Sequence, residues 1–352
     1  MKHVNLGGTG LKVSEYCIGA DNFGDQTSAA DGIRIMERAF EAGVNFIDTA
    51  NSYGPADKKG ISEEIVGRFI KSRRSQVVLA TKGKSRIGDG PNDEGVNRKY
   101  VMQAIDDSLR RLGTDYVDLY QIHSPDPTTP IAETVDAYND VVRAGKARYI
   151  GVSNFSGYQL TEALWQQDKR NLARFVSVQP RYNLLYREPE RELFKVCADQ
   201  GVGVMAYSPQ AGGFLLGKHR NFEAQTGTRF ATDFRAANFY RLTYWNEPTF
   251  KAMEQFIAVT EKYGISPNAL ALRWVISNPV LTSCIVGART MEQLEQNLAA
   301  WESDVPQEAL DEATAIGDWL WDTAPWKPQM QVNQGPSPFP GVNRSFKATQ
   351  PA

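Results

Sequence analysis

The sequence has few cysteines, few histidines, almost no excess of charge and no long apolar run. Its three cysteines, Cys17, Cys197 and Cys284, lie far apart in apolar segments, which predicts reduced core thiols and a cytoplasmic location. The three histidines and three cysteines show no spacing typical of metal ligands, so we expect no metal site. A net charge of −2 gives no reason to expect nucleic acid or an anionic membrane as a partner. Because no secretory signal and no run of about eighteen apolar residues is present, we expect no membrane span.

Apolar segments alternate along the chain with segments whose apolar residues recur at a spacing of three and four. This alternation predicts parallel βαβ units. The predicted strands are residues 16–19, 44–47, 77–80, 116–121, 148–152, 175–179, 202–206 and 283–286. That number of strands is enough to close a (β/α)8 TIM barrel, and residues 1–352 can form such a barrel as a single domain. An open doubly wound sheet fits the alternation as well, but it normally has a glycine-rich fingerprint after its first strand, which is missing here.

Three regions depart from this rhythm. Residues 1–18 contain the turn Gly-Gly-Thr-Gly, and because the following residues alternate like a strand, we predict a β-hairpin and not a dinucleotide-binding loop. After the seventh strand, residues 217–248 are predicted to form a long loop, of the kind that often acts as a lid. The tail, residues 319–352, shows no periodicity and is predicted to be irregular; its tryptophans predict docking on the body of the protein.

The stretch Phe-Ile-Asp-Thr-Ala-Asn-Ser-Tyr-Gly, residues 46–54, ends an apolar run with Asp48 and places Tyr53 in the loop that follows. Lys82 and His123 follow the third and fourth predicted strands. Taken singly, these residues have ordinary explanations: a helix cap, a half-buried aromatic, a solvated loop lysine and a rim histidine. In a barrel, however, the carboxyl ends of the strands open on one face, so the four side chains are expected to converge.

These four residue types suit proton transfer to a carbonyl oxygen. A tyrosine hydroxyl has an ordinary pKa near ~10 and is a poor proton donor at neutral pH. A neighbouring lysine ammonium is expected to lower the pKa of Tyr53, and a carboxylate keeps that ammonium charged and in place. A histidine on the other side can hydrogen-bond the carbonyl oxygen and orient it. The set therefore predicts an acid that protonates the oxygen while hydride reaches the carbon.

On these residues the sequence resembles the aldo-keto reductase superfamily over nearly its whole length. Asp48, Tyr53, Lys82 and His123 match the catalytic tetrad of that family position by position. Further blocks similar to the family are GVSNFS (151–156), QPRYN (179–183), AYSPQAGGFLLGK (206–218) and IVGARTMEQLEQN (285–297). The resemblance implies an eight-stranded barrel that binds NADP(H) without a Rossmann fold and interconverts an aldehyde or ketone and the alcohol.

The resemblance also assigns the coenzyme contacts. Polar side chains after the fifth and sixth strands are implied to hold the nicotinamide carboxamide, an aromatic ring after the seventh to stack on the nicotinamide, and small residues to admit the pyrophosphate. Arg289 is implied to pair with a 2′-phosphate, which favours NADP(H) over NAD(H). The implied coenzyme residues are Ser153, Asn154, Gln179, Tyr207, Ser208, Gly212, Gly213, Gly287, Arg289, Gln293 and Asn297.

The substrate pocket is where the sequence departs from the family. Asp21 and Asn22 stand where the family often has an apolar or aromatic residue, and with Phe23 and Ser124 they are the candidate substrate contacts. Polar groups there suit a polar, carbohydrate-like carbonyl compound or alcohol. It is an equally open alternative that Asp21 caps backbone amides after the first strand. At the adenosine end, Gln296 stands where the family often has a glutamate.

A second class of function is open at this point. Potassium-channel β-subunits share the superfamily and its coenzyme, so the alternative expectation is a coenzyme-binding regulatory subunit. His123 argues against this alternative, because channel subunits of that type are expected to carry a different residue there. The intact tetrad favours the enzyme, whose expected partner is a small-molecule carbonyl compound or alcohol.

Overall fold

A computed structural model describes residues 1–219, 222–231 and 237–323, and its central feature is a closed barrel of eight parallel strands. The strands, in chain order, are β1 (His3–Asn5), β2 (Lys12–Ser14), β3 (Tyr16–Gly19), β4 (Phe46–Asp48), β5 (Val78–Gly83), β6 (Val117–Ile122), β7 (Ala147–Ser153), β8 (Phe175–Gln179), β9 (Gly203–Tyr207) and β10 (Leu281–Gly287). From β3 onward each strand pairs with the next, and β10 pairs with β3 to close the ring. The predicted (β/α)8 barrel is confirmed, and the open doubly wound sheet is wrong.

Helices surround the barrel and pack their apolar faces on it. Those of the described residues are α1 (Ala29–Glu41), α2 (Ile61–Ile70), α3 (Arg98–Leu112), α4 (Ile131–Arg143), α5 (Gly157–Lys169), α6 (Leu193–Gln200), α7 (Ala237–Tyr244), α8 (Glu247–Tyr263), α9 (Pro267–Ser277), α10 (Met291–Glu302) and α11 (Gln307–Thr323). In α1, Ser28 caps the first turn by accepting from the amide of Asp31, and Ile35, Met36 and Ala39 form the buried face. Across the described ranges, none of the helices is both long and apolar enough to span a bilayer.

The hairpin of β1 and β2 closes the amino-terminal end of the barrel. Leu6 and Val13 are fully buried in one cluster with barrel residues such as Phe46. Gly7 has a φ of +54°, and a β-carbon there would lie 2.5 Å from the amide nitrogen of Gly203. Only glycine therefore lets the hairpin approach the barrel this closely. The predicted hairpin is confirmed, and the opposite end of the barrel is left as the open mouth.

The insertion after β9 contains a helix as well as a loop. Residues 217–248 were predicted as loop throughout, but α7 lies inside them and α8 begins before they end. Tyr240 and Tyr244 of α7 are buried, and Phe230, in the loop before it, is fully buried as well. The two tyrosine rings pack on Phe230 and on the turn after β9 that contains Gly212 and Phe214, which gives α7 a buried face that the local composition alone did not indicate.

The end of the chain is helical further than predicted. The expectation of an irregular tail from residue 319 is wrong for its first residues, because α11 continues to Thr323. Trp321 lies on this helix, and the guanidinium carbon of Arg191 is 5.4 Å from the centre of one of its rings. Trp326 and the rest of the predicted tail lie outside the described residues.

All three cysteines are buried and free. Cys17 and Cys284 stand on the neighbouring strands β3 and β10, and Cys197 lies on α6. Burial raises the pKa of each thiol, so all three are protonated at neutral pH. Protonated thiols are weak nucleophiles and weak metal ligands, and the prediction of core thiols is confirmed.

Candidate active site

The carboxyl ends of β4, β5 and β6 bring the predicted tetrad together. Asp48 is the last residue of β4, Lys82 is the last but one of β5, and His123 directly follows β6. Tyr53 stands in the loop between β4 and α2. Because neighbouring parallel strands end on the same side, residues far apart in the chain meet at the open mouth of the barrel.

Lys82 and Asp48 form a buried ion pair at the base of the mouth. The Lys82 ammonium donates to Asp48 Oδ2 and, over 2.8 Å, to the carbonyl oxygen of Thr49. The side chains of Lys82 and Asp48 are 0% and 2% exposed. Gln121 and Gln179 each donate from Nε2 to Asp48 Oδ1, over 3.0 and 2.9 Å. The carboxylate is thus held by side chains from β5, β6 and β8, and Gln179, expected to contact the coenzyme, also supports the tetrad.

Tyr53 lies over this ion pair. The Lys82 ammonium is 4.8 Å from the centre of the Tyr53 ring, and the His123 ring is 5.6 Å away, centre to centre, and nearly edge-on. Burial raises the pKa of Tyr53 to about 12, although the Lys82 ammonium acts in the opposite direction. The predicted lowering by Lys82 is thus present, but lost hydration of the phenolate outweighs the attraction of the ammonium, so the pKa is raised overall. Tyr53 is consequently protonated at neutral pH.

His123 is neutral at physiological pH. Burial lowers the pKa of its imidazole to about 3, and the ammonium groups of Lys82 and Lys84 act in the same direction. Its backbone amide donates to the carbonyl oxygen of Gly83 over 2.9 Å, which extends the pairing of β5 and β6 past the strand ends. The ring nitrogen Nδ1 is buried and has no hydrogen-bond partner among the described residues. A buried ring nitrogen without a partner is best assigned as the unprotonated nitrogen of a neutral imidazole.

The tetrad stands at the edge of a cavity of about 700 Å³. Asp48, Tyr53 and His123 line this cavity, whereas Lys82 is fully buried behind them. Every residue that the sequence assigned to the coenzyme lines the same cavity. A volume of this size is typical of sites that enclose a cofactor or another small molecule.

The candidate substrate residues do not all reach the cavity. Asp21 and Asn22 line it. Phe23 is 0% exposed and packs in the core, where its ring lies 3.1 Å from the position of a β-carbon at Gly32. Ser124 is half-buried and does not line the cavity. The structure therefore brings Asp21 and Asn22 into one cavity with the tetrad, but not Phe23 or Ser124.

The predicted carboxamide contacts are bonded to one another and to the tetrad. Asn154 Nδ2 donates to the carbonyl oxygen of His123 over 2.9 Å, and its Oδ1 accepts from the Tyr207 hydroxyl over 2.8 Å. Ser153 Oγ donates to the carbonyl oxygen of Gln179 over 2.8 Å. Asn154 also has a φ of +61°, a left-handed conformation that asparagine tolerates better than most residues. These bonds fix the polar groups between His123 and the ring of Tyr207.

The segment after β9 passes through several residues with positive φ. Ser208, Ala211, Gly212 and Gly213 have φ values of +57°, +53°, +69° and +94°. A β-carbon at Gly212 would lie 2.5 Å from the ring of Tyr240, whereas one at Gly213 would meet nothing within 4 Å. Packing therefore requires glycine at the first position, and open space lies beside the backbone at the second. Turns of this kind form concavities that hold phosphate groups through backbone amides.

The far end of the cavity carries a guanidinium. Arg289 donates from Nη1 to the carbonyl oxygen of Gly227 over 2.6 Å, and its backbone amide donates to Gln293 Oε1 over 2.9 Å. Within the described ranges it forms no ion pair with a carboxylate, and burial together with the charge of Arg229 lowers its pKa. A guanidinium that faces a cavity without a carboxylate partner matches the requirements of a phosphate group. The donor set from Tyr207 to Arg289 thus fits a phosphorylated dinucleotide.

Comparison with known proteins agrees with this geometry. Residues 15–318 match the model of the aldo/keto reductase family. The chain belongs to this family. The match spans every strand of the barrel and all of the tetrad, so the resemblance noted in the sequence is confirmed.

Individual relatives extend along most of the chain. An uncharacterized oxidoreductase of Bacillus subtilis, YrpG, is 39% identical over 317 residues, which cover 88% of this chain and 94% of that protein. A probable voltage-gated potassium channel subunit beta of rice is 36% identical, over 85% of this chain and 91% of that protein. A putative aryl-alcohol dehydrogenase of Schizosaccharomyces pombe is 35% identical, over 86% and 92%. Oxidoreductases are thus among the relatives of this family member.

An ion pair at the rim joins the loop after β9 to the loop after β3. Arg229 Nη2 donates to Asp21 Oδ2 over 2.9 Å and to Asn22 Oδ1 over 3.3 Å, while Nη1 donates to the Tyr240 hydroxyl over 2.6 Å. The side chains of Arg229 and Asp21 are 22% and 34% exposed. Asp21 therefore has a partner that neither of the sequence alternatives included, because the hydroxyl-binding and the amide-capping roles both left Arg229 out.

Sequence reasoning missed Gln121, although a signal for it was present. Leu119 and Gln121 are two residues apart on β6, and His123 continues that spacing directly after the strand, so all three are expected to point to the same side. Leu119 is buried in the cluster that contains the side chains of the hairpin. A polar residue in that row, two positions before the histidine, has to meet a polar partner, and Asp48 is that partner.

Sequence reasoning also missed two amides at the far end of the cavity. Gln210 and Asn268 donate to Asn297 Oδ1 over 3.0 and 2.9 Å, and Asn297 donates to the carbonyl oxygen of Gly287 over 3.3 Å. Gln210 and Asn268 come from the turn after β9 and from α9, which no local pattern connects. Across the parts of the chain that the structure describes, no group of three or more His, Cys, Asp or Glu side chains could hold a metal ion.

Proposed function

We propose that this protein is an NADP(H)-dependent oxidoreductase that interconverts an aldehyde or ketone and the corresponding alcohol, with Tyr53 as the general acid. The observation that carries the proposal is the buried Lys82–Asp48 ion pair beneath Tyr53, with His123 lining the same cavity. The family match and the oxidoreductases among the relatives support it.

Each residue of the tetrad has its own role in the proposed proton transfer. When bound, reduced nicotinamide supplies hydride to the carbonyl carbon. Tyr53, with its pKa raised to about 12, is protonated at neutral pH and donates its proton to the carbonyl oxygen. Burial lowers the pKa of Lys82, but the charge of Asp48 outweighs burial and raises it, so the lysine stays charged. That ammonium stabilises the phenolate that Tyr53 becomes in the transition state, which is where stabilisation accelerates a reaction.

His123 orients the carbonyl group. Because burial lowers its pKa to about 3, the imidazole is neutral and donates from only one nitrogen. We assign the proton to Nε2, since Nδ1 is buried without a partner among the described residues. A neutral donor aimed at the carbonyl oxygen holds the carbonyl against Tyr53 without competing for its proton.

We propose NADP(H) rather than NAD(H) as the coenzyme. Ser153, Asn154 and Gln179 would hold the carboxamide, Tyr207 would stack on the nicotinamide, and the glycine-rich turn after β9 would admit the pyrophosphate. Arg289, whose guanidinium faces the cavity without a carboxylate partner in the described residues, would bind the 2′-phosphate.

The substrate is proposed to be a polar, carbohydrate-like carbonyl compound or alcohol. Asp21 and Asn22 line the cavity that Tyr53 and His123 line, and both carry oxygen acceptors. A hydroxyl group of the substrate would share these acceptors with Arg229, which already bonds to both. Buried polar contacts of this kind discriminate well between hydroxylated compounds and their apolar analogues.

A regulatory coenzyme-binding subunit is the second candidate function. The rice relative, a probable voltage-gated potassium channel subunit beta, is the observation that favours it. The neutral His123 beside Tyr53 favours the enzyme, because a regulatory subunit has no need of a group that orients a reacting carbonyl. We also propose that the protein is one domain, since closure of the barrel joins β3 to β10, and that it works in the cytoplasm, since its cysteines are free thiols.

Replacement of the Tyr53 hydroxyl tests the proposed function. Tyr53→Phe should lower NADPH-dependent reduction of an aromatic aldehyde by roughly 10²- to 10⁴-fold, because the general acid is lost. The dissociation constant of NADPH should stay close to that of the parent, since the hydroxyl acts in the transition state.

Tyr138→Phe is the matched control, because Tyr138 is a buried tyrosine that does not line the cavity. It should keep the activity of the parent. If Tyr53→Phe kept a turnover within about tenfold of the parent, general acid catalysis by Tyr53 would be ruled out. A parent protein that binds NADPH but reduces no carbonyl compound would favour the regulatory subunit.

A further inference from the structure

The first turn of α2 lies against the catalytic tyrosine. Gly60, directly before α2, has a φ of +88°, and no side chain caps the helix. Instead, the backbone amides of Gly60 and Ser62 donate to the carbonyl oxygen of Tyr53, over 3.0 and 3.4 Å. The amides at the start of a helix lack partners within the helix, so the tyrosine backbone takes the place of a capping group. We call Gly60, Ser62 and Glu63 the α2 brace.

Ser62 connects this turn to two further loops at the mouth. Its hydroxyl donates to the carbonyl oxygen of Ala20 over 2.7 Å and lies 2.9 Å from the hydroxyl of Thr49. Because Ser62 has one hydroxyl proton and donates it to the carbonyl oxygen of Ala20, the Thr49 hydroxyl has to donate to Ser62. The carbonyl oxygen of the same Thr49 accepts from the Lys82 ammonium over 2.8 Å. A short chain of bonds thus leads from the backbone of Tyr53 through Ser62 to Lys82.

Glu63 anchors the brace on the outer side of the barrel. Its carboxylate is fully buried and accepts from the Thr81 hydroxyl and, over 2.7 Å, from Arg111 Nε. Thr81 directly precedes Lys82 on β5, so the two side chains point to opposite faces of the strand. The Arg111 side chain also packs on Gly60, where it would lie 2.6 Å from a β-carbon. A buried carboxylate fixed by a strand and by α3 has little freedom to move.

These contacts bear on proton transfer because Tyr53 and Lys82 stand on different segments. Tyr53 lies in a loop and Lys82 lies on a strand, so the distance between ring and ammonium depends on how the loop is held. The amide of Asn51 donates to the carbonyl oxygen of Lys82 over 3.0 Å, and Tyr53 itself, two residues further on, is held from the other side by the α2 brace. Displacement of a reacting group by about 1 Å can cost on the order of 100-fold in rate. Building on the proposed function, we propose that Ser62 and Glu63 are positioning residues, which hold Tyr53 at the distance from Lys82 that proton transfer requires.

Ser62→Ala tests this proposal with Ser283→Ala as a matched control. Ser283 is also a fully buried serine, and it donates to the carbonyl oxygen of Ser14 over 2.9 Å at the closed end of the barrel. A positioning role predicts that Ser62→Ala lowers the single-turnover rate of NADPH oxidation by an aromatic aldehyde by roughly 10- to 100-fold. The Michaelis constant for the aldehyde and the dissociation constant of NADPH should change little. Ser283→Ala should keep the parent rate, while both variants lower the unfolding temperature by similar amounts.

Thr49→Val is a second variant in case Ser62→Ala does not fold, since it keeps the shape of the side chain and removes the donor to Ser62. It should show the same loss of single-turnover rate with NADPH binding unchanged. Parent-like rates in the variants at Ser62 and Thr49, or equal rate losses in Ser283→Ala, would overturn the positioning role. Tyr53→Phe measured in parallel separates the two proposals: if it loses activity while Ser62→Ala does not, the function stands and only the brace is wrong.

Discussion

Two ion pairs contribute side chains to the wall of the cavity, and they differ in burial and in the elements that hold them. At the base, Lys82 and Asp48 belong to adjacent strands, are almost fully buried, and are held further by Thr49, Gln121 and Gln179. At the rim, Arg229 and Asp21 belong to two loops and are partly exposed. The base pair therefore cannot separate without disturbing the barrel, whereas the rim pair can.

The two ion pairs also differ in which parts of the molecule they hold. The base pair holds the Lys82 ammonium in place beneath Tyr53. The cost of burying the Asp48 carboxylate is offset by hydrogen bonds to both of its oxygens. The rim pair joins the segment that follows β9 to the segment that follows β3, at the cavity that both segments line. A partly exposed pair contributes little to stability.

The largest effect is expected from breaking the base pair. Lys82→Met leaves the Asp48 carboxylate buried without a cation, which should lower the free energy of unfolding by about 3–5 kcal/mol and remove detectable carbonyl reduction. Thermal or urea unfolding and NADPH oxidation measure the two effects. In the double variant Lys82→Met with Asp48→Asn, stability should recover in part but activity should not. Full stability in the single variant would contradict the buried ion pair.

A smaller effect is expected from Arg289→Ala at the far end of the cavity. Loss of a charge-assisted bond to the 2′-phosphate should weaken NADPH by roughly 10- to 100-fold more than NADH. Fluorescence titration with both coenzymes measures the difference. Arg38→Ala is the matched control, because Arg38 binds Glu295 on the exposed side of α10 over 2.7 Å. Equal weakening of both coenzymes by Arg289→Ala would mean that Arg289 only supports Gly227.

Breaking the rim pair should affect stability much less than breaking the base pair. Asp21→Ala and Arg229→Gln should each change the free energy of unfolding by at most about 1 kcal/mol, since the pair is partly exposed. Activity on a hydroxylated ketone and on an unsubstituted aromatic aldehyde then separates two roles of Asp21. Loss on the ketone alone, and only in Asp21→Ala, is the result expected if its carboxylate binds substrate hydroxyls. Parallel losses in both variants and on both compounds would show that Asp21 acts through Arg229 only.

The smallest effect is expected from pH. The proposed general acid, Tyr53, has to be protonated, so the rate of reduction should fall as pH rises through its raised pKa of about 12. His123 gains a proton only near its lowered pKa of about 3. The single-turnover rate of reduction should therefore be nearly flat between about pH 5 and 9. A break near the ordinary histidine value of about 6.5 would show that His123 titrates during the reaction.

The sequence predicted the barrel and the meeting of the four tetrad residues because both follow from short-range patterns, the alternation of strands and helices and the residues at the strand ends. Each predicted strand overlaps an observed one, and the residues at strand ends meet because parallel strands end together. The boundaries differ where apolar character continues past pairing: Val44 was placed in the second barrel strand, but β4 begins at Phe46, after the turn at Gly43 with its φ of +86°.

The sequence predicted the partner of Lys82 but not the partner of Asp21. Arg229 lies more than two hundred residues from Asp21, and nothing near either one points to the other. The lowering of the Tyr53 pKa by a neighbouring ammonium can be predicted from the sequence, whereas the degree of burial, which raises this pKa overall, cannot. In α11, by contrast, Ala313, Ile316 and Leu320 recur at helical spacing, so that helix was within reach of the sequence.

The pairing of β10 with β3 has a consequence for how the chain is made. A ribosome releases Tyr16–Gly19 long before the strand that completes the ring, Leu281–Gly287. Until then β3 has one open edge, which is a template for pairing with the wrong chain. Contacts between such distant segments also slow folding, because a long loop must close before they form. The nascent protein thus closes its barrel only after translation has passed the last barrel strand.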